Sequence, residues 1–327
     1  MTLETPMNHE YFMAGLSVLH LRFIVRTESP IVFDAQPGTA LRGALYHALR
    51  EHYCSAVTGF AGLNHQKECP VCWLMAQEDD GRGRGRNMPR PLTIQPPLTQ
   101  QFRTGETWTF GLGLIGRAQE ILPYLLRAVQ AAGKLGVGRG RGTFSLRDIE
   151  EYSPLLDASR SLQENHVIRR ATLHVTPLRI SEAAALGEAG RINLKLLSPL
   201  RLITQEKAIR IPALDILLQR LVERMQDMRA YYGTEEAMPE RDQWIALQNT
   251  LCTAAQQTTL AFNDTQWLDI YSGSQRNNSL SPVSGLIGDV RWEGPSVTVL
   301  RPWLLWGQSL HVGKDAVKGN GWYRVLN

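Results

Sequence analysis

Cys69-Pro-Val-Cys72 sets two thiols at the spacing of a metal knuckle. Zinc favours four sulfur or imidazole ligands in a tetrahedron, so two more partners must come from nearby. Cys54 is the natural third ligand, and the fourth falls to His65, which leads HQKEC, or to His52. The set Cys54, His65, Cys69 and Cys72 points to a structural zinc, with a reduced, metal-free knuckle as the alternative. A redox role is a poorer reading, because no thioredoxin-like strand and helix frame the pair. Cys252 lies in LQNTLCTAA, an expected helix, and reads as core.

Another pattern alternates glycine with arginine. GRGRGRNMPR (81–90) carries Arg82, Arg84, Arg86 and Arg90, and GKLGVGRGRGTFSL (133–146) carries Lys134, Arg139 and Arg141, with Arg147 just beyond. Net charge is only +4, so the cations are concentrated rather than abundant. Such clusters suit the phosphates of a polyanion, and the alternative is a solvated, solubilising loop. The 81–90 strip has too many glycines for a regular element and suits phosphates of any sequence. The 133–146 stretch is similar to a nucleotide-cradling loop, yet it lacks GxxxxGK[ST] and runs into a strand instead of a helix. That order argues against a P-loop NTPase.

These residues need elements to hold them. Hydrophobic content of 43% and charged content of 20% over 327 residues allow a well-buried core in two domains of ordinary size. No apolar run approaches the roughly 20 residues that span a bilayer. MTLETPMNHEYF lacks the basic patch and apolar centre of a secretory signal. A cytoplasmic protein with no membrane partner is expected, and its four cysteines then argue against a disulfide framework.

The chain also resembles itself. Residues 121–146, ILPYLLRAVQAAGKLGVGRGRGTFSL, match residues 300–325, LRPWLLWGQSLHVGKDAVKGNGWYRV, at a constant offset of 179 without gaps. Pro123 meets Pro302, Leu125 and Leu126 meet Leu304 and Leu305, Gly140 and Gly142 meet Gly319 and Gly321, and Phe144 meets Tyr323. The block reads as a helix opened by proline, a Gly-x-Gly turn and a short strand. Its recurrence implies two related domains.

Each half fits a βαββαβ plan. In the first, 16–27, 106–116 and 142–152 read as strands, 39–53 as a helix capped by Thr39, and 117–133 as a further helix. The stretch 54–105 reads as an insertion with little regular structure. In the other half, 171–181, 192–202 and 285–294 read as strands. Residues 212–233 form an amphipathic helix whose Leu214, Leu217, Leu218, Leu221, Met225, Met228 and Tyr232 face the core. The expected fold is α+β, with two tandem ferredoxin-like domains over 1–155 and 169–327 joined by a linker at 156–168.

GLIGDVRWEG (285–294) with RPWLLWGQSLHVGKDAVKGNGWYRV (301–325) resembles the closing domain of the CRISPR repeat-processing endoribonucleases of the RAMP superfamily, which are tandem ferredoxin-like proteins. PGTALRGALYHAL (37–49), CPVCWLMA (69–76), PRPLTIQPP (89–97) and the glycine-rich block extend the resemblance over most of the chain. HVGK followed by GNGWYRV is its most specific part. The resemblance implies a metal-independent ribonuclease that cuts precursor CRISPR RNA within its repeats and leaves a 2′,3′-cyclic phosphate and a 5′-hydroxyl. The crRNA product would often stay bound within a complex of effector subunits. A non-catalytic RAMP subunit that binds processed RNA is the competing implication.

Cleavage by RNA's own 2′-hydroxyl requires a base for the 2′-oxygen, an acid for the 5′-oxygen and positive charge on the phosphorane. Histidine suits either proton role. Related enzymes place a catalytic histidine in or near the first helix of the N-terminal domain, which selects His47, with Tyr46 before it and Arg50 three residues on. His311, three residues before Lys314, is the runner-up, with helix-end packing or RNA contact as its alternative. Tyr46, Arg50, His311 and Lys314 are the expected helpers. Lys134, Arg139, Arg141, Lys318 and the arginines of 81–90 are expected on the RNA backbone. No cofactor is expected for catalysis.

Overall fold

The computed structural model describes residues 7–55, 63–76, 88–164, 167–234, 237–274 and 279–326. They form two compact units, the first made of Leu19–Tyr152 and Ser159–Leu173, the second of Met1–Val18, Ser153–Ala158 and His174–Asn327.

The first unit runs β1 (Val18–Thr27), α1 (Pro37–Tyr53), α2 (Leu63–Glu68), α3 (Pro70–Met75), β2 (Leu92–Gln95), β3 (Thr107–Ile115), α4 (Leu122–Leu135), β4 (Phe144–Ser153) and β5 (Ala158–Ser161). The sheet order β2-β3-β1-β4-β5 is the ferredoxin-like arrangement with one added edge strand. β1 pairs antiparallel with β4 from His20 opposite Tyr152 to Thr27 opposite Phe144. Period-two alternation places Leu19, Leu21, Phe23 and Val25 of β1 in the core. Leu41, Leu45 and Leu49 of α1 and Leu125, Val129 and Ala132 of α4 meet them there, at helical spacing.

Two expectations change in this unit. α1 begins at Pro37, with Gln36 in the cap position, and the Thr39 hydroxyl donates to the Gln36 side chain at 2.9 Å instead of capping the helix. Proline suits a first helical position because its missing N–H has no partner there anyway. The stretch 54–105 is also more ordered than expected. It holds α2, α3 and β2, and β2 is the strand that completes the βαββαβ plan.

The second unit runs α5 (Pro177–Ala185), β6 (Arg191–Leu200), α6 (Leu214–Tyr232), α7 (Arg241–Gln256), β7 (Thr259–Leu268), β8 (Gly285–Glu293), α8 (Val297–Leu310) and β9 (Tyr323–Leu326). Its order β7-β8-β6-β9 repeats that of the first sheet. The expected strand at 171–181 is instead one isolated bridge, Val175 to Val18, followed by α5. Thr176 caps α5 by accepting the Arg179 N–H at 3.4 Å. The strand that completes the plan here is β7. Residues near the N-terminus also belong to this unit: Phe12 stacks edge-on against Trp244, with centroids 4.8 Å apart, and against Trp303 at 6.0 Å.

The internal repeat is real, but its register differs from the ungapped one. α4 and α8 are each 14 residues long and start at Leu122 and Val297, an offset of 175. Their buried positions agree at that offset: Leu125 with Leu300, Ala128 with Trp303, Val129 with Leu304 and Ala132 with Gly307. Both helices end on a residue of positive φ and extended ψ, Gly136 (φ 84°) and His311 (φ 58°). The strands that follow align at 179, so the later turn is four residues longer. A slip of four residues is close to one helical turn and leaves the apolar stripe in place, which is why an ungapped match fits both helices. In the corrected register Gly136-Val-Gly-Arg139 corresponds to His311-Val-Gly-Lys314. Among the described residues, no helix is long and apolar enough to cross a membrane.

Candidate functional site

Cys54 is the residue on which α1 ends, His65 lies in α2, Cys69 precedes α3 and Cys72 lies in its first turn. These short elements fold back so that the four ligand atoms all lie within 4.8 Å of one another. Cys54 Sγ is 3.4 Å from His65 Nε2 and 3.8 Å from Cys72 Sγ. Two sulfurs on a tetrahedral zinc at about 2.3 Å would stand roughly 3.8 Å apart. Burial, then the neighbouring Cys69 and Cys54, push the Cys72 thiol up to about 12. Thiols so placed resist ionisation until a cation joins them, and a dication inverts that balance. The donor set therefore fits a closed metal site. His52 is exposed and turned toward Tyr53, outside this group. Cys252 lies in the second unit, half-buried, with its thiol donating to the Asp215 carbonyl at 3.5 Å.

His47 sits on α1, about two turns before the cysteine that ends the helix. Its side chain is exposed, whereas Tyr46 is half-buried against the core and Arg50 is half-buried. Of the three candidates, His47 is the most exposed. Gly43, one turn earlier on the same stripe, leaves open space: a Cβ there would meet nothing within 4 Å. On the next stripe, Arg42 donates to the Met75 carbonyl at 2.8 Å. That bond and Cys54 tie both the middle and the end of α1 to the knuckle, which braces the helix that carries His47.

The two glycine turns close against the segment that follows each unit's first strand. In the first unit the Arg139 N–H donates to the Val32 carbonyl at 2.7 Å, and the Arg139 side chain pairs with Asp34. Both partners of that pair are largely exposed, so it contributes little stability and can yield to another anion. A Cβ on Gly142 would lie 2.1 Å from the Pro30 carbonyl oxygen, a close approach that requires glycine. Lys134, Arg139 and Arg141 are all exposed. In the second unit the Lys314 N–H donates to the Arg201 carbonyl at 3.2 Å, the counterpart of the Arg139 bond.

His311 is fully buried, with its ring stacked at 14° on Trp322 and centroids 6.3 Å apart. Helix-end packing, the alternative weighed for it, matches this placement; in this conformation its nitrogens do not reach solvent. Lys314 is exposed, and Lys318 pairs with Asp315 at 2.9 Å. Arg90 is half-buried and donates to the Met88 carbonyl at 2.7 Å. Arg82, Arg84 and Arg86 lie outside the described residues.

Sequence reading missed one group in the second unit. Trp267 of β7 carries the guanidinium groups of Arg201 and Arg210 over its ring. Those three residues are scattered over more than sixty positions, and only the fold brings them together.

A family model described as an N-terminal domain matches residues 16–175, and that of the CRISPR-associated endoribonuclease Cas6 matches residues 194–323. Among solved structures, a Cas6 product complex is 14% identical, covering 96% of this chain and 100% of its own with a TM-score of 0.58. Thermus thermophilus Cas6 is 12% identical over 96% of this chain and 100% of its own, with a TM-score of 0.56. A partial Cas6-RT-Cas1–Cas2 complex is 15% identical over 95% of this chain and 46% of that one, with a TM-score of 0.59. No curated protein sequence matches the chain. Two ferredoxin-like units, each with a glycine turn between its last helix and last strand, make up the fold that the chain shares with these structures. Over residues 194–323 the chain matches the Cas6 endoribonuclease family, and over nearly its whole length it shares the fold of solved Cas6 structures.

Proposed function

We propose that this protein is an endoribonuclease that cuts precursor CRISPR RNA within its repeats and keeps the product bound. The observation that carries the reading is the match of the second unit to the Cas6 endoribonuclease model. The similar structures of a Cas6 product complex and of a partial Cas6-RT-Cas1–Cas2 complex support an RNA product and CRISPR partner subunits as the assembly it enters. Its place of work is the cytoplasm, with the RNA.

The reaction is attack of the 2′-hydroxyl on the adjacent phosphorus, giving a 2′,3′-cyclic phosphate and a 5′-hydroxyl without a catalytic metal. His47 is the leading acid or base, because it presents an imidazole to solvent beside an open stretch of helix. Arg50 supplies positive charge three residues away, and Tyr46 needs a rotation out of the core edge to take part. Lys134, Arg139 and Arg141 hold RNA backbone, and Asp34 releases Arg139 to a phosphate. A zinc held by Cys54, His65, Cys69 and Cys72 would be structural and would fix the end of α1.

The burial of His311 favours weighing another reading, a RAMP subunit that holds processed RNA without cutting it. Brief incubation with cognate repeat RNA in EDTA, beside a scrambled control, separates the two. Site-specific cleavage supports the enzyme; tight binding with no product leaves the scaffold.

A further inference from the structure

At one corner of the second unit's sheet, aromatic and cationic side chains stack in the open. Trp267 lies near the end of β7, an edge strand in which every residue is exposed or half-buried. Arg210 Cζ stands 4.9 Å from the Trp267 ring centroid and Arg201 Cζ stands 5.8 Å from it. The indole N–H donates to Asp269 Oδ1 at 2.8 Å, which fixes the rotation of the ring. Arg201 is anchored through Nη1 to the Ser284 carbonyl at 3.3 Å, while Arg210 is exposed. The Arg201 carbonyl in turn accepts the Lys314 N–H, which brings the exposed lysine of the glycine turn to the same corner.

Packing alone does not account for this group. Two guanidinium groups on one indole repel each other, and an exposed cation gains only about 0.5–1 kcal/mol from an aromatic ring. The arrangement gains when an anion neutralises the cations and a flat ring covers the exposed guanidinium face. Single-stranded RNA supplies both at once, since each nucleotide carries a phosphate and an unpaired base. A duplex offers phosphates but hides its base faces.

We propose that Trp267, Arg201, Arg210 and Lys314 form a base-stacking and phosphate-binding site for single-stranded RNA on the second unit. The inference rests on the RNA-processing reading above and gives that reading a further contact besides the His47 helix. Arg210 presents its planar face to a base, Trp267 holds that face in orientation, and Lys314 meets the adjoining phosphate.

The test measures binding of the full chain to a labelled single-stranded repeat RNA and to a duplex of the same length, across a salt series. Trp267→Ala and Arg210→Ala are each expected to weaken single-strand binding by about 5- to 150-fold, the usual effect of losing one stacked base, and to change duplex binding far less. Arg210→Ala removes about 0.7 from the salt slope, whereas Arg210→Lys keeps the slope and recovers little affinity. Trp267→Phe retains a stackable ring and binds within a few-fold of wild type, which guards against a misfolded Trp267→Ala. Wild-type affinity in Trp267→Ala and Arg210→Ala, or equal losses on single strand and duplex, overturns the site. If wild type binds and cuts repeat RNA in that case, this inference alone fails. If wild type binds no RNA, the functional reading falls with it.

Discussion

Replacing Gly43 with alanine separates a glycine kept for the protein's own packing from one kept for a substrate. Gly43 lies inside α1, where glycine is about 1 kcal/mol less favourable than alanine because it gives up more backbone freedom on folding. A Cβ at this position meets nothing within 4 Å, so no packing cost opposes the gain. Gly43→Ala should stabilise the protein by about 0.5–1 kcal/mol in urea unfolding. Gly142 provides the internal control. Its Cβ would lie 2.1 Å from the Pro30 carbonyl, and Gly142→Ala should cost about 1–3 kcal/mol as overpacking. Gly43→Leu then asks what the space is for. Its side chain projects from the stripe that carries His47, so cleavage of repeat RNA should fall at least about tenfold while stability holds. A destabilised Gly43→Ala would refute the reading of an open helix face. A stable Gly43→Leu enzyme with wild-type cleavage would show that RNA does not approach along this stripe.

His47→Ala should lower the cleavage rate by about 10²- to 10⁴-fold and leave RNA binding intact; cleavage at the wild-type rate removes the assignment. Gently purified protein should contain one zinc per chain, lost in Cys69→Ser together with stability, and elemental analysis that finds none sinks the metal centre. His20 is fully buried, and desolvation lowers its pKa from 6.5 to about 4. The folded state thus favours the neutral ring: its contribution is whole above about pH 6.5 and is lost as pH falls toward 4, by about 3 kcal/mol at that end. Urea unfolding at pH 7, 5.5 and 4.5 should show this slope flattened in His20→Gln, and identical slopes in the two proteins would count against it.

The knuckle residues are legible in the sequence because their signal is local: a CxxC pair with a thiol and an imidazole within twenty residues needs little knowledge of the fold. The edge strands β2 and β7 are not. All four side chains of β2 are buried, so LTIQ between prolines shows no alternation. β7 fails for the opposite reason, since exposure along its length leaves TLAFNDTQWL without an apolar face. The 171–181 segment contains β-branched residues and apolar alternation, but Thr176-Pro177 starts a helix there. His47 lies within a helix and His311 ends one, yet the sequence does not tell them apart, and tertiary packing places one in solvent and the other against Trp322.

Because the second unit is discontinuous in sequence, its parts emerge at different times during synthesis. Phe12 leaves the ribosome early, but its partners Trp244 and Trp303 follow more than two hundred residues later. The first unit can close around its own core in that interval, while the N-terminal segment stays unburied. Synthesis therefore imposes an order: the half that carries His47 and the metal knuckle matures first. The other half is completed by a clasp between segments that emerge more than two hundred residues apart.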